Sequence, residues 1–352
     1  MALIDAGLVT VADVAKTKSA KGINDFANIV AIKSPVYGRM PRMQCNEGDS
    51  HVEQIISGLP KVHYTKINEA TPYSKTSTEE RKFTTTHVES RSGVDKRLAM
   101  RGGIGKWALN RWIQAQGHIE AMIQEAEKRF FYGTSMKEDP RAIPGLADYY
   151  NTVATTSEIS KNVISLGGST ANRQTSMYLI VPGMMSVFGA YPEGTQAGLM
   201  RENYTPDPNK PINIIAETRD GETGTIKGYE EMFSMDDCIV LKDWRQVVRM
   251  ANIDVSSSVI GVNTTVPYYP STDLIAAAIN ATEIVESLEA GAGFWACNRT
   301  IAAVLRHQAR SEVKTGGGVG YGNYQGVKDV LMLHGMPVVV TDGILNTEAV
   351  VA

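Results

Sequence analysis

The sequence predicts an α+β fold, and three observations carry that assignment. Residues 104–132 pattern as one long amphipathic helix. Directly before it, residues 60–103 form a charged, β-rich stretch that lacks an apolar face. After it come β-rich runs interleaved with two shorter helices. At about 150 residues per domain, 352 residues make roughly two domains, or one domain with long excursions.

Residues 1–59 form an N-terminal arm. Ser34-Pro35 and Met40-Pro41 are extended dipeptides, since proline removes a backbone donor and pushes its predecessor out of helical geometry. One short helix is expected near residues 9–15. Residues 60–103 then read as an extended hairpin loop, with strands at 61–67 and 82–89 and a polar tip at 68–81. A lone two-stranded hairpin is marginal in water, so something outside it must hold it. The stretch carries nine Lys/Arg against five Asp/Glu, a net of +4, in a chain of net −3. The remainder after residue 103 is acidic at −7, because residues 1–59 balance six against six. Lys61, Lys66, Lys75, Arg81, Lys82 and Arg91 are therefore candidate contacts to another subunit. The bland alternative is a solvated loop.

Residues 104–150 hold the long helix. Ile104, Ala108, Trp112, Ala115, Ile119, Met122, Ala126 and Phe130 recur at spacings of three and four. Trp112, Ile119, Met122 and Phe130 are its expected core, with Lys106, Asn110, Gln114, Gln124, Glu127 and Lys128 on the opposite side. Such a helix is about 40 Å long, and Gly133 is its expected stop.

Residues 151–270 are a mixed β region. Strands are expected at 162–166, 176–182, 212–216, 225–229, 238–241 and 246–253, with a polar loop, a possible insertion, at 191–211. Residues 271–352 begin with a helix capped by Ser271 or Thr272 and running to 288, its stripe formed by Leu274, Ala278, Ala281, Val285 and Leu288. Asn298 caps a helix over 300–308. A Gly-rich loop follows at 315–322, then strand signals over 330–340, interrupted at Gly335 and Pro337.

Composition and motifs exclude several function classes. Hydrophobic residues at 43% and charged residues at 21% rule out a mostly disordered chain or a rod. The slight acidity gives no sign of a nucleic-acid-binding domain. No apolar run is long enough to span a membrane, and the N-terminus lacks secretory-signal character. Cys45, Cys238 and Cys297 are too few and too scattered for a disulfide framework or a zinc site, which fits a reducing cytoplasm. The six histidines show no metal-ligand spacing. Gly105-Lys106 lacks the rest of a P-loop, and the Gly-rich stretch at 316–322 lacks a following helix N-terminus for phosphate. Ser311–Lys314 fits SxxK without its companion motifs. Asp236-Asp237 reads as a solvated turn. No catalytic, cofactor-binding or metal residue is nominated.

The order of elements resembles the major capsid protein of tailed bacteriophages, a fold shared with encapsulin shells. An arm precedes the charged hairpin, a single long helix like that family's spine helix follows at once, and Gly145-Leu146 leads into a mixed domain. The C-terminal series resembles the family's axial domain: the helix to 288, Gly293-Phe294-Trp295-Ala296-Cys297-Asn298-Arg299, the next helix, the Gly-rich loop and Gly335-Met336-Pro337-Val338. One departure is that the chain ends twelve residues beyond Val340, where many members place long strands. The resemblance implies a peripheral domain carrying the spine helix, an axial α/β domain, and a non-enzymatic structural subunit made in the host cytoplasm. Its copies would join as pentamers and hexamers into an icosahedral virion shell around double-stranded DNA, without sequence specificity. Separate scaffold, portal and decoration proteins are further expected partners. The alternatives are an encapsulin-like compartment shell, or, from another class, a cytosolic α/β enzyme using the Gly-rich loop at 316–322.

Overall fold

A computed structural model describes residues 35–352, except 102, 135–140, 154–156, 158, 218–222, 256–273, 289–290, 313–318 and 325–326. The expected helix at 9–15 and the Ser271/Thr272 cap lie outside the described residues.

In chain order the strands are β1 (Arg42–Gln44), β2 (Ser50–Gly58), β3 (Ser77–Thr84), β4 (Thr86–Asp95), β5 (Val163–Ser165), β6 (Gln174–Ile180), β7 (Val187–Tyr191) and β8 (Gly198–Asn203). They continue with β9 (Ile212–Glu217), β10 (Thr223–Leu241), β11 (Val247–Asp254), β12 (Phe294–Cys297), β13 (Val319–Tyr324), β14 (Val327–Leu333) and β15 (Met336–Val340). The helices are α1 (Lys96–Ala99), α2 (Trp107–Tyr132), α3 (Leu146–Tyr149), α4 (Leu274–Ile284) and α5 (Arg299–Glu312).

A seven-stranded mixed sheet, ordered β13-β14-β15-β12-β6-β11-β5, lies between two apolar layers. Period-two alternation divides each central strand between them. Tyr178, Ile180, Phe294, Ala296 and Val339 face the core that holds Trp112, Ile119, Met122 and Phe130 of α2. Met177, Leu179, Trp295, Cys297 and Val338 face the core completed by α4 and α5. Every residue of β6 and β12 is buried, as expected for strands covered on both faces. Asn298 caps α5, its side-chain oxygen accepting from the Ile301 amide at 2.9 Å. The His334-Gly335 pair turns β14 into β15 with positive φ at both residues (49° and 79°), as a two-residue hairpin turn requires.

The second, six-stranded sheet is organised by β10, whose 19 residues span about 60 Å. Along its length β10 pairs with β9, then with β4 and β8, and finally with β7. The sequence suggested two short strands here, because acidic residues interrupt the apolar pattern. Those residues are paired: Glu231 meets Arg111 and Arg201 at 2.5 and 2.9 Å. Asp237 meets Arg129 at 3.0 Å and accepts the Tyr37 hydroxyl. Asp236-Asp237 is thus part of a strand, not a solvated turn. β8 lies inside the expected 191–211 loop, its Pro- and Gly-rich flanks having masked it. Val319–Tyr324 likewise forms β13, laddered to β14, where a Gly-rich loop was expected; the cross-strand partners Leu333 and Leu331 outweigh the weak strand propensity of Gly320 and Gly322.

Asn110, Glu127 and Ala108 depart from the expected pattern of α2. Asn110 and Glu127, placed on the polar side, are buried, and so is Arg111. Ala108, placed on the apolar stripe, is exposed. Asn110 donates to the Ala99 carbonyl at 2.9 Å and so ties α1 to α2.

Candidate functional site

The surface that stands apart from both cores is the outer part of the hairpin of β2 and β3, whose Phe83 alone among the described residues joins the core at its root. Its outer strand is Ser50–Gly58, and residues 61–67, expected to be that strand, carry no ladder. The second expected strand, 82–89, divides between β3 and β4. Thr85 marks the division, donating to the Asp49 carbonyl through its amide at 3.0 Å and its hydroxyl at 2.8 Å. β4 then enters the six-stranded sheet beside β10.

The root of the hairpin is fixed by polar bonds. Asn46 brackets Val52, donating to its carbonyl at 2.7 Å and accepting from its amide at 2.8 Å. Lys242 donates to Glu53 at 3.0 Å, and His51 lies 3.0 Å from the same carboxylate. Burial pushes the Glu53 carboxyl up, but those two partners outweigh it and hold it below the usual range. His51 also packs edge-on against Phe188, and Phe83 is buried.

Beyond this root the support ends. Every residue from Leu59 to Glu80 is exposed. Leu59, Val62, Tyr64, Ile67 and Tyr73 have relative exposures of 84, 87, 102, 93 and 106%. Five large apolar side chains on one unsupported excursion are unlike scattered surface hydrophobics. They were visible in the sequence, but alternation with Lys61, His63 and Lys66 gave them the look of a strand. The signal that could have found them is the lack of any partner for that strand's apolar side.

The candidate cations fall into two groups. Lys61, Lys66 and Lys75 are exposed and make no ion pair among the described residues. Arg81, Lys82 and Arg91 are paired within the subunit, to Glu79 at 3.8 Å, Glu47 at 3.4 Å and Glu230 at 2.8 Å. The two groups therefore do not form one continuous unpaired patch. Of the nominated α2 residues, Ile119 and Phe130 are at most 1% exposed, Met122 is 3% and Trp112 7%.

Among the described residues, catalytic chemistry finds no comparable cluster. No group of three metal-ligating side chains exists among the described residues. The three cysteines are buried and free. His118 stacks on Phe233 and meets Ser90 at 2.6 Å, with burial lowering its pKa. No helix is long and apolar enough to cross a membrane among the described residues.

A family model described as major capsid protein GP7 matches residues 19–352. Among solved structures, a chain of bacteriophage Epsilon15 is similar over 100% of both chains, at 22% identity and a TM-score of 0.69. A chain of the bacteriophage JBD30 capsid gives 10% identity and a TM-score of 0.44, covering 95% of this chain and 99% of that one. The SrpI encapsulin of Synechococcus elongatus PCC 7942 gives 10% identity and 0.41, covering 72% and 95%. No curated protein sequence matches.

Proposed function

Because this chain belongs to the major capsid protein GP7 family, we propose that its hairpin joins neighbouring copies into the closed shell of a tailed-phage virion. The subunit is a major capsid protein, and its place is the virion shell. Pentamers and hexamers of this chain close the shell around double-stranded DNA, and no catalysis is required of it. The observation that carries the role of the hairpin is its shape: a root bonded to the body and an exposed tip bearing Leu59, Val62, Tyr64, Ile67 and Tyr73. A second copy supplies the cover that the subunit itself lacks. The near-neutral charge suits a shell that holds DNA without tight phosphate contacts. Scaffold, portal and decoration proteins remain partners of the same proposal.

The family match favours this over the encapsulin alternative. Residues 319–322 of the stretch on which the enzyme alternative rests lie in a β-ladder, which speaks against a loop there, while residues 316–318 lie outside the described residues. Electron microscopy and light scattering of the expressed chain provide the test. Closed particles are expected, and a monomer stable at every concentration refutes the proposal.

A further inference from the structure

Three connections meet where β6 ends and β11 begins. The turn between β6 and β7 is bonded to the link between β10 and β11, since the Lys242 and Asp243 amides donate to the Ser186 carbonyl at 2.9 and 3.2 Å. From the same link Arg245 donates to Glu286, just past α4, at 2.6 Å. The chain then returns to the turn, where Gly291 lies so close to the Pro182 carbonyl that a β-carbon would not fit. These adjoining segments carry Met184, Met185, Ile284 and Leu288, all exposed, Met185 to 70%. They also carry three carboxylates, Asp243, Glu283 and Glu286. Arg245 is shared between Asp243 and Glu286, and Lys242 is bonded to Glu53. The surface is therefore apolar and acidic at once.

The hairpin tip is its chemical complement. Beside Leu59, Val62, Tyr64, Ile67 and Tyr73 it bears Lys61, Lys66 and Lys75 against a single acidic residue, Glu69. Methionine sulfur makes favourable contacts with aromatic rings such as those of Tyr64 and Tyr73, and its flexible side chain adapts to an irregular partner. The tip does not cover its own subunit, because every residue from Leu59 to Glu80 is exposed. Charge disfavours the symmetric pairings. Tip against tip sets lysines against lysines, and Met surface against Met surface sets carboxylates against carboxylates. Tip against Met surface joins unlike charges. Such an interface is heterologous, and heterologous contacts repeat from copy to copy into a ring, whereas a self-complementary contact stops at a pair.

We propose that the hairpin tip of one copy docks on the Met184-Met185 turn and the end of α4 of the next copy. This docking rests on the shell role proposed above and names the surface that the hairpin grips.

Tyr64→Cys and Met185→Cys together in the full chain test it. Both positions are exposed and the three native cysteines are buried, so a short bis-maleimide applied to assembled particles reads the new pair. Denaturing gels should show a ladder of dimers, trimers and higher multimers, while each single variant stays monomeric. An absent ladder in particles that do assemble overturns the docking and leaves the shell role standing. A dimer from Tyr64→Cys alone also overturns it, because tips would then be meeting each other. A parent chain that never assembles refutes the shell role and the docking with it. Met184→Ser with Met185→Ser tests the same surface without new thiols. With circular dichroism unchanged, its assembly threshold should rise by about tenfold or more. An unchanged threshold overturns the docking.

Discussion

Replacing Tyr64 and Ile67 together by serine separates assembly from folding. Both side chains are essentially fully exposed in the subunit, at 102% and 93%, so the subunit loses no packing. Surface substitutions of this kind change folding stability by no more than about 0.5 kcal/mol. If a neighbouring copy covers the two side chains, each forfeits about 1.5–3 kcal/mol of apolar burial, or about 3–6 kcal/mol per contact. At about 1.4 kcal/mol per decade, the association constant of that contact falls by about 10²–10⁴. The association cost common to both proteins cancels in the comparison. Circular dichroism and urea unfolding should show a native subunit. Light scattering over a concentration series should show the assembly threshold rising by at least tenfold. An unchanged threshold with a folded variant would mean that the apolar tip stays in solvent within the shell, and the hairpin argument would fail.

Three other outcomes are expected. Glu348→Ala strips the buried Arg249 of a partner at 2.8 Å, both side chains being 4% exposed, and should cost about 3–5 kcal/mol in urea unfolding; a loss under 1 kcal/mol would show that Arg249 is held by its bonds to Ser176 and the Ala147 and Tyr150 carbonyls. Reversing Lys61, Lys66 and Lys75 to Glu should leave folding intact, slow assembly in low salt and flatten its salt dependence, because these three make no ion pair among the described residues; unchanged rates at low salt would remove charge from the account. His87, hydrogen-bonded to Asp236 and near Glu89, has its pKa raised chiefly by the Asp236 bond. Its contribution is therefore complete below the unfolded value near 6.5 and lost as pH rises through the higher folded value. The parent should show a small stability difference over His87→Gln at pH 5.5 that vanishes in mildly alkaline buffer, and a difference growing with pH would reverse the assignment.

Legibility followed periodicity and cover. The 26-residue α2 was visible because Trp112, Ile119, Met122 and Phe130 repeat at helical spacing over about five turns. β6 and β11 were visible as apolar runs because both of their faces are buried, whereas the four-residue β12 was too short to be read as a strand. β10 was not read as one strand, since its acidic residues find Arg111, Arg129 and Arg201 only through tertiary contacts. The hairpin was recognised as a hairpin but placed in the wrong register. The brief alternation at 61–64 pointed to the wrong segment, and register is weakly specified wherever neither face is buried. The interaction surface was anticipated from charge, whereas half of the nominated cations are spent inside the subunit and the exposed stretch also carries five large apolar side chains.

The bonds around β4 explain how an unsupported tip can still carry load. β4 continues the hairpin chain past Thr85 and pairs with β10 over ten residues, from Thr86 to Asp95. From this strand Ser90 reaches His118 of α2, and His87 reaches Asp236 of β10. The adjacent Asp237 binds Arg129, again on α2. A force on the hairpin is therefore delivered along a ten-pair ladder into the long helix, whose Phe131 packs on Tyr178 of the seven-stranded sheet at 5.2 Å. On the proposed reading, apolar contact at the tip would confer affinity for a neighbour, while the polar root would fix the direction in which that neighbour is held. Those demands conflict within a single apolar core, since a self-covered hairpin would be better ordered but would have nothing left to bury against a second copy.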